Sequence, residues 1–113
     1  NFLASIVIIP MKANEAPTEQ QMGEDKYCAL LAKGILADNP GKLEYAKSLK
    51  LPVSNTCDIQ IDRGGSKKGR SVNVYGANGT PYTVLLNFSA QDASSSAEFQ
   101  GLIQNWKKTK ASR

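Results

Sequence analysis

Histidine is missing from the 113-residue chain. Its absence excludes Ser-His-Asp and Cys-His catalytic pairs, every zinc site that needs an imidazole, and a side-chain proton switch near neutral pH. Cysteine is scarce: Cys28 and Cys57 stand alone, too few for a four-thiolate zinc centre. Long hydrophobic runs are also lacking. The longest, Phe2 to Ile9, falls well short of the roughly 20 apolar residues that a membrane helix requires. Together these gaps leave no recognisable catalytic constellation, cofactor motif or metal-ligand spacing, so no enzyme and no cofactor are expected.

What is present suits one folded domain. Hydrophobic residues make up 41% and charged residues 21%, which separates the chain from disordered compositions. The net charge of +4 is unevenly distributed. Residues 1–62 carry six lysines against eight acids, a balance of −2; residues 63–113 carry eight basic residues against Asp92 and Glu98, a balance of +6. The cations fall into two clusters. One is Arg63, Lys67, Lys68 and Arg70; the other is Lys107, Lys108, Lys110 and Arg113. Such asymmetry suits an acidic or polyanionic partner, and equally a solvated loop and a helix end whose lysines complement the dipole.

Residues 1–16 read as an apolar strand or the remnant of a signal peptide, followed by a polar linker. Ile6, Val7, Ile8 and Ile9 are β-branched and Pro10 stops the run, which favours a buried strand. Ala13 and Ala16 are small enough for a cleavage site but miss the A-x-A spacing.

Residues 17–113 read as one α+β domain. Thr18 to Gln21 after Pro17 fit a helix start. Cys28, Leu31, Ala32 and Ile35 then form a helical stripe. Leu43, Ala46 and Leu49 predict a second, shorter helix closed by Pro52. From Cys57 the period becomes two, with Cys57, Ile59 and Ile61 on one side and Asp58, Gln60 and Asp62 on an exposed polar one. The two aspartates lie about 13 Å apart along a strand, too far to share a metal ion. Val72 and Val74, then Tyr82, Val84, Leu86 and Phe88, continue the inner face on two more strands. Asn78-Gly79 supplies a hairpin turn between them. Ser95 and Glu98 fit a capping box, and Phe99, Leu102, Ile103 and Trp106 make a last helical stripe. The expected architecture is a three-stranded antiparallel meander with helices packed on one face around a single core. The order is β-α-α-β-β-β-α, and the amino-terminal stretch would be a fourth strand.

Cys28 and Cys57 both point toward that core. A disulfide between them suits a small exported domain; two reduced cysteines acting as small hydrophobes are the other reading. The glycine-rich stretch from Arg63 to Arg70 reads as a long flexible hairpin loop. It lacks the Walker A spacing and has no aromatic residue of its own for stacking on bases.

The resulting expectation is a small, exported, non-catalytic protein-binding module, periplasmic or secreted: an inhibitor, an immunity protein or an accessory factor of an envelope complex. Its partner would be a protein with an acidic patch. Arg63, Lys67, Lys68 and Arg70 would steer association, and Tyr75 and Tyr82 would anchor it. The alternative is a cytoplasmic nucleic-acid-binding domain using loop 63–70 and the basic carboxy terminus.

Overall fold

The computed structural model describes residues 4–11, 24–38, 40–51, 55–75 and 81–105. They form strand β1 (Ala4–Pro10), helix α1 (Asp25–Asp38), strands β2 (Lys42–Lys50), β3 (Asn55–Gly64), β4 (Lys67–Tyr75) and β5 (Pro81–Ser89), and helix α2 (Ala93–Gln104). The strands make one antiparallel sheet in the order β1-β5-β4-β3-β2. The α+β class agrees with the expectation. The sheet has five strands, the expected meander of three joined by the amino-terminal strand and by β2, and the described helices number two.

The predicted second helix is strand β2. Leu43 and Ala46 do share a face, but a β-bulge puts them there. The register slips between Leu43 and Tyr45, so Leu43 faces Ile61 and Ala46 faces Ile59. One extra residue, Glu44, turns a period of two into an apparent spacing of three. Leu49 faces Thr56 and lies on the opposite side. Gly41 leads into β2 where there is no room for a side chain: an added Cβ would lie 2.7 Å from the Asp62 carbonyl oxygen.

The single core splits into two, one on each face of the sheet. On one face Cys28 and Ala32 of α1 pack against Cys57, Ile59 and Ile61 of β3. On the other, Phe99 and Ile103 of α2 pack against Val72, Val74, Val84, Leu86 and Phe88. The cause lies in the β3–β4 hairpin. The long loop expected over 63–70 is a two-residue turn, Gly65-Ser66, with both strands running up to it. Gly64 pairs with Lys67, yet Asp62 pairs with Lys68, which leaves Arg63 as an extra residue. Without that bulge Ile59 would stand opposite Val72. With it Asp58 does, and a slip of one residue moves every side chain to the other face. Gly64 at φ +97° and Gly65 at φ +62° take the left-handed conformations the turn needs. The Gly64 N–H donates to Asp62 Oδ1 at 3.0 Å, bracing the bulge.

β1 is a strand, as read, but it is an edge strand rather than a buried one. Ile6, Val7, Ile8 and Ile9 are each 42–45% exposed. Leu85 pairs with Val7. At the other end, α2 begins at Ala93 with Asp92 as its N-cap, accepting from the Ser95 N–H at 3.2 Å, so Ser95 is inside the helix and not its cap. Hydrogen bonds from Ser95 and Ser94 hold the Asp92 carboxyl below its ordinary pKa. The Thr18–Gln21 helix start, the Asn78-Gly79 turn, Trp106 and the second cationic cluster lie outside the described residues.

Cys28 and Cys57 are joined in a disulfide that ties α1 to β3, with a sequence separation of 29. Both are buried completely or nearly so. α1 is also held by Asp25, whose Oδ1 accepts from the Ser48 N–H of β2 at 2.9 Å. On the chain-entropy account, closing a loop of this size stabilises by about 3–4 kcal/mol. Replacing both cysteines by alanine should lower the unfolding free energy by about that amount in urea titration. A loss below about 1 kcal/mol would show that the bond is not what holds α1 on the sheet.

Candidate functional site

The basic stretch nominated from the sequence divides, residue by residue, into three environments. Arg70 is inside: it is 6% exposed, and Asp58 opposite its strand is 2% exposed. The guanidinium makes a two-pronged bond, Nε to Asp58 Oδ1 at 2.8 Å and Nη2 to Asp58 Oδ2 at 2.9 Å. Nη2 also donates to Gln100 Oε1 of α2 at 2.5 Å, and the group lies 5.1 Å from the centre of the Phe99 ring. This planar, bidentate geometry is what arginine provides and lysine cannot. With its charge neutralised inside the protein, Arg70 is a bracket between the sheet and α2, and it is not placed to steer a partner. The polar face expected to expose Asp58 is thus covered at that position by α2.

Around the pair lies a half-buried polar fringe. The Tyr45 hydroxyl is 3.4 Å from each oxygen of Asp58 and 3.3 Å from Gln60 Oε1. Burial, and then the Asp58 carboxylate, push the Tyr45 phenol up to about 12. Gln60 Nε2 donates to Glu44 Oε1 at 2.7 Å, and Lys68 pairs with Glu44. The bulged Glu44 therefore reaches across β3 to β4. The Gln60 and Lys68 hydrogen bonds hold the Glu44 carboxyl below its usual range, and Glu44 raises the Lys68 ammonium. Lys68 is also 4.0 Å from Asp62. Its charge is met within the fold, although an exposed pair of this kind stabilises little.

Arg63 and Lys67 remain. Both are exposed beside the turn, and neither makes an ion pair among the described residues. The Arg63 stem crosses Gly69, where an added Cβ would lie 3.2 Å from its Cδ. Its Nη1 sits 3.4 Å from Asn87 Oδ1. The bulge thus carries Arg63 over the α1 face of the sheet.

Beneath it is a cleft of about 70 Å³. Ile35 of α1, Ile59 and Ile61 of β3 and Leu85 of β5 form its apolar surface. Ser71 and Asn87 contribute polar groups. The alternation along β5 already turns Leu85 and Asn87 away from Val84, Leu86 and Phe88, toward the amino-terminal strand or a partner, but only the bulge brings all six together with Arg63.

The expected aromatic anchors are elsewhere. Tyr82 packs against the α2-side core and pairs with Pro10 and Val74. Tyr75 pairs with Pro81 at the far end of β4, and its side chain lies outside the described residues. That end is about 26 Å from Lys67 at strand rise, so the tyrosines and the hairpin tip do not form one site.

Among the described residues, no three His, Cys, Asp or Glu side chains gather as a metal site, and no helix is long and apolar enough to cross a membrane. No family model, curated protein or solved structure matches the chain.

The two arginines should respond differently to mutation. Arg70→Met leaves Asp58 buried without its partner and should lower stability by about 3–5 kcal/mol. Arg63→Gln changes an exposed side chain and should stay within about 0.5 kcal/mol. Chemical denaturation of both variants checks this; equal effects would refute the separation of roles.

Proposed function

We propose that the chain is a non-catalytic protein-binding module that works in an oxidising compartment, periplasmic or extracellular, and docks a partner through an acidic patch. The observation that carries this reading is the pair of cations at the hairpin tip, Arg63 and Lys67, which form no ion pair among the described residues and flank a tight turn. The nearby carboxylates, Glu44 and Asp62, already face Lys68. The tip therefore offers charge to an external acidic group, and its short turn keeps the ordering entropy of binding low. The disulfide supports the compartment, since such bonds persist outside reducing cytosol. An inhibitor, an immunity protein or an envelope accessory factor each fits a rigid module of this size.

The test is fluorescence anisotropy with two labelled probes, a glutamate-rich polypeptide and a DNA duplex of similar charge. The acidic polypeptide should bind the oxidised chain in a salt-sensitive way. The double variant Arg63→Glu, Lys67→Glu should weaken it at least tenfold with little change in stability. Tighter binding of the duplex at matched salt would replace this reading with nucleic-acid recognition. Equal polypeptide binding by the variant would remove the hairpin tip from the interface.

A further inference from the structure

The cleft under Arg63 has a more specific chemistry than a charged patch. Its size comes first. A buried water needs roughly 10–15 Å³ of such space, so a cleft of about 70 Å³ has room for about five waters. That is the scale of one branched side chain, too small for a nucleotide or a flavin. Its surface comes next. Ile59, Ile61 and Leu85 give it an apolar wall on the sheet, and Ile35 closes one side from α1. Ser71 supplies a second kind of signal. It is only 8% exposed and lines the cleft, and no hydrogen bond of its hydroxyl is found among the described residues. Buried hydroxyls are normally satisfied, so Ser71 offers a hydrogen bond to a polar atom that enters the cleft. At the rim stands Arg63, a cation without an acidic partner among the described residues, with the Asn87 amide beside it.

An apolar wall, a buried hydroxyl and a cation lining one small cleft suit a ligand that carries a branched apolar group and a carboxylate close together. Within an extended segment, neighbouring side chains point to opposite faces, so an aspartate beside a leucine cannot satisfy both groups. A carboxy-terminal residue can, because its side chain and α-carboxylate leave the same Cα. We propose that this cleft captures the carboxy-terminal residue of the partner chain. Its carboxylate sits on Arg63 and Ser71, and a leucine-sized side chain lies against Ile59 and Leu85. Capture of a terminal carboxylate is an established mode of peptide recognition. The proposal rests on the reading of the chain as a protein-binding module, and it assigns that module a recognition element distinct from Lys67.

The experiment is an NMR titration of the full oxidised chain with three probes: acetyl-Ala-Ala-Leu as the free acid, the same peptide as its amide, and 4-methylpentanoate. The acid peptide should shift the methyl signals of Ile59 and Leu85 and the Nε signal of Arg63. The amide should bind at least tenfold more weakly. Arg63→Gln should bring acid and amide to the same affinity, while Arg63→Lys should restore part of the preference. Ser71→Ala should weaken the acid several-fold. Equal binding of acid and amide to the wild type, or no shift at millimolar acid peptide, would overturn the proposal. Binding of 4-methylpentanoate as tightly as the peptide would overturn it in favour of a free-acid site. Lys67→Glu should leave the tripeptide affinity unchanged, so loss of acidic-partner binding and loss of terminal capture are read separately.

Discussion

One extra residue in a hairpin decides how the molecule is arranged. Arg63 occupies a bulge between Asp62 and Gly64, and two glycines in left-handed conformations follow it. The bulge sets the phase of β4 against β3. With it, Asp58 and Gln60 share a face with Val72 and Arg70, and Ile59 shares one with Ser71. Removal of the bulge would put Ile59 beside Val72, which implies one core and one covered face. The observed phase instead makes both faces of β3 inward, one toward each helix.

The two helices are then secured by different chemistry. On the α1 face the buried cluster is small, comprising Cys28, Ala32, Cys57, Ile59 and Ile61. A covalent link compensates for that limited apolar area, as is common in domains with small cores. On the α2 face the cluster is larger and includes Phe99 and Ile103. There the link is polar: Arg70 joins Asp58 of β3 to Gln100 of α2. A buried pair is weak evidence for net stability but strongly penalises any arrangement that separates its members. It therefore opposes the alternative phase of β3 and β4, in which Asp58 and Arg70 would lie on opposite faces.

The sequence made the elements more legible than their relation to one another. The stripe Cys28, Leu31, Ala32, Ile35 marked α1, and the alternation from Cys57 to Asp62 marked β3. The cysteine pair was recognised as a possible bond because each member lay on an inward stripe. The bulge at Glu44 disguises β2, because it gives Leu43 and Ala46 the spacing expected of a helix. The phase between β3 and β4 was missed because alternation within a strand carries no information about which face meets the next strand. That phase lives in the conformations of Gly64 and Gly65, which as bare sequence signal only loop flexibility. The same omission hid the site. Arg70 reads as a loop cation, and nothing in the alternation of β4 and β5 taken separately brings Ser71, Leu85 and Asn87 together.

The proposed function rests on the same phase. A stretch with four cations becomes one buried bracket, one internally paired lysine and two charges without an ion pair among the described residues, with Arg63 standing over an apolar cleft. The register itself is open to direct measurement through cross-strand nuclear Overhauser contacts between backbone protons of β3 and β4. The account predicts contacts that pair Asp58 with Val72 and Gln60 with Arg70. Contacts pairing Ile59 with Val72 and Ile61 with Arg70 would contradict it, and would dissolve the two cores, the buried bracket and the cleft together.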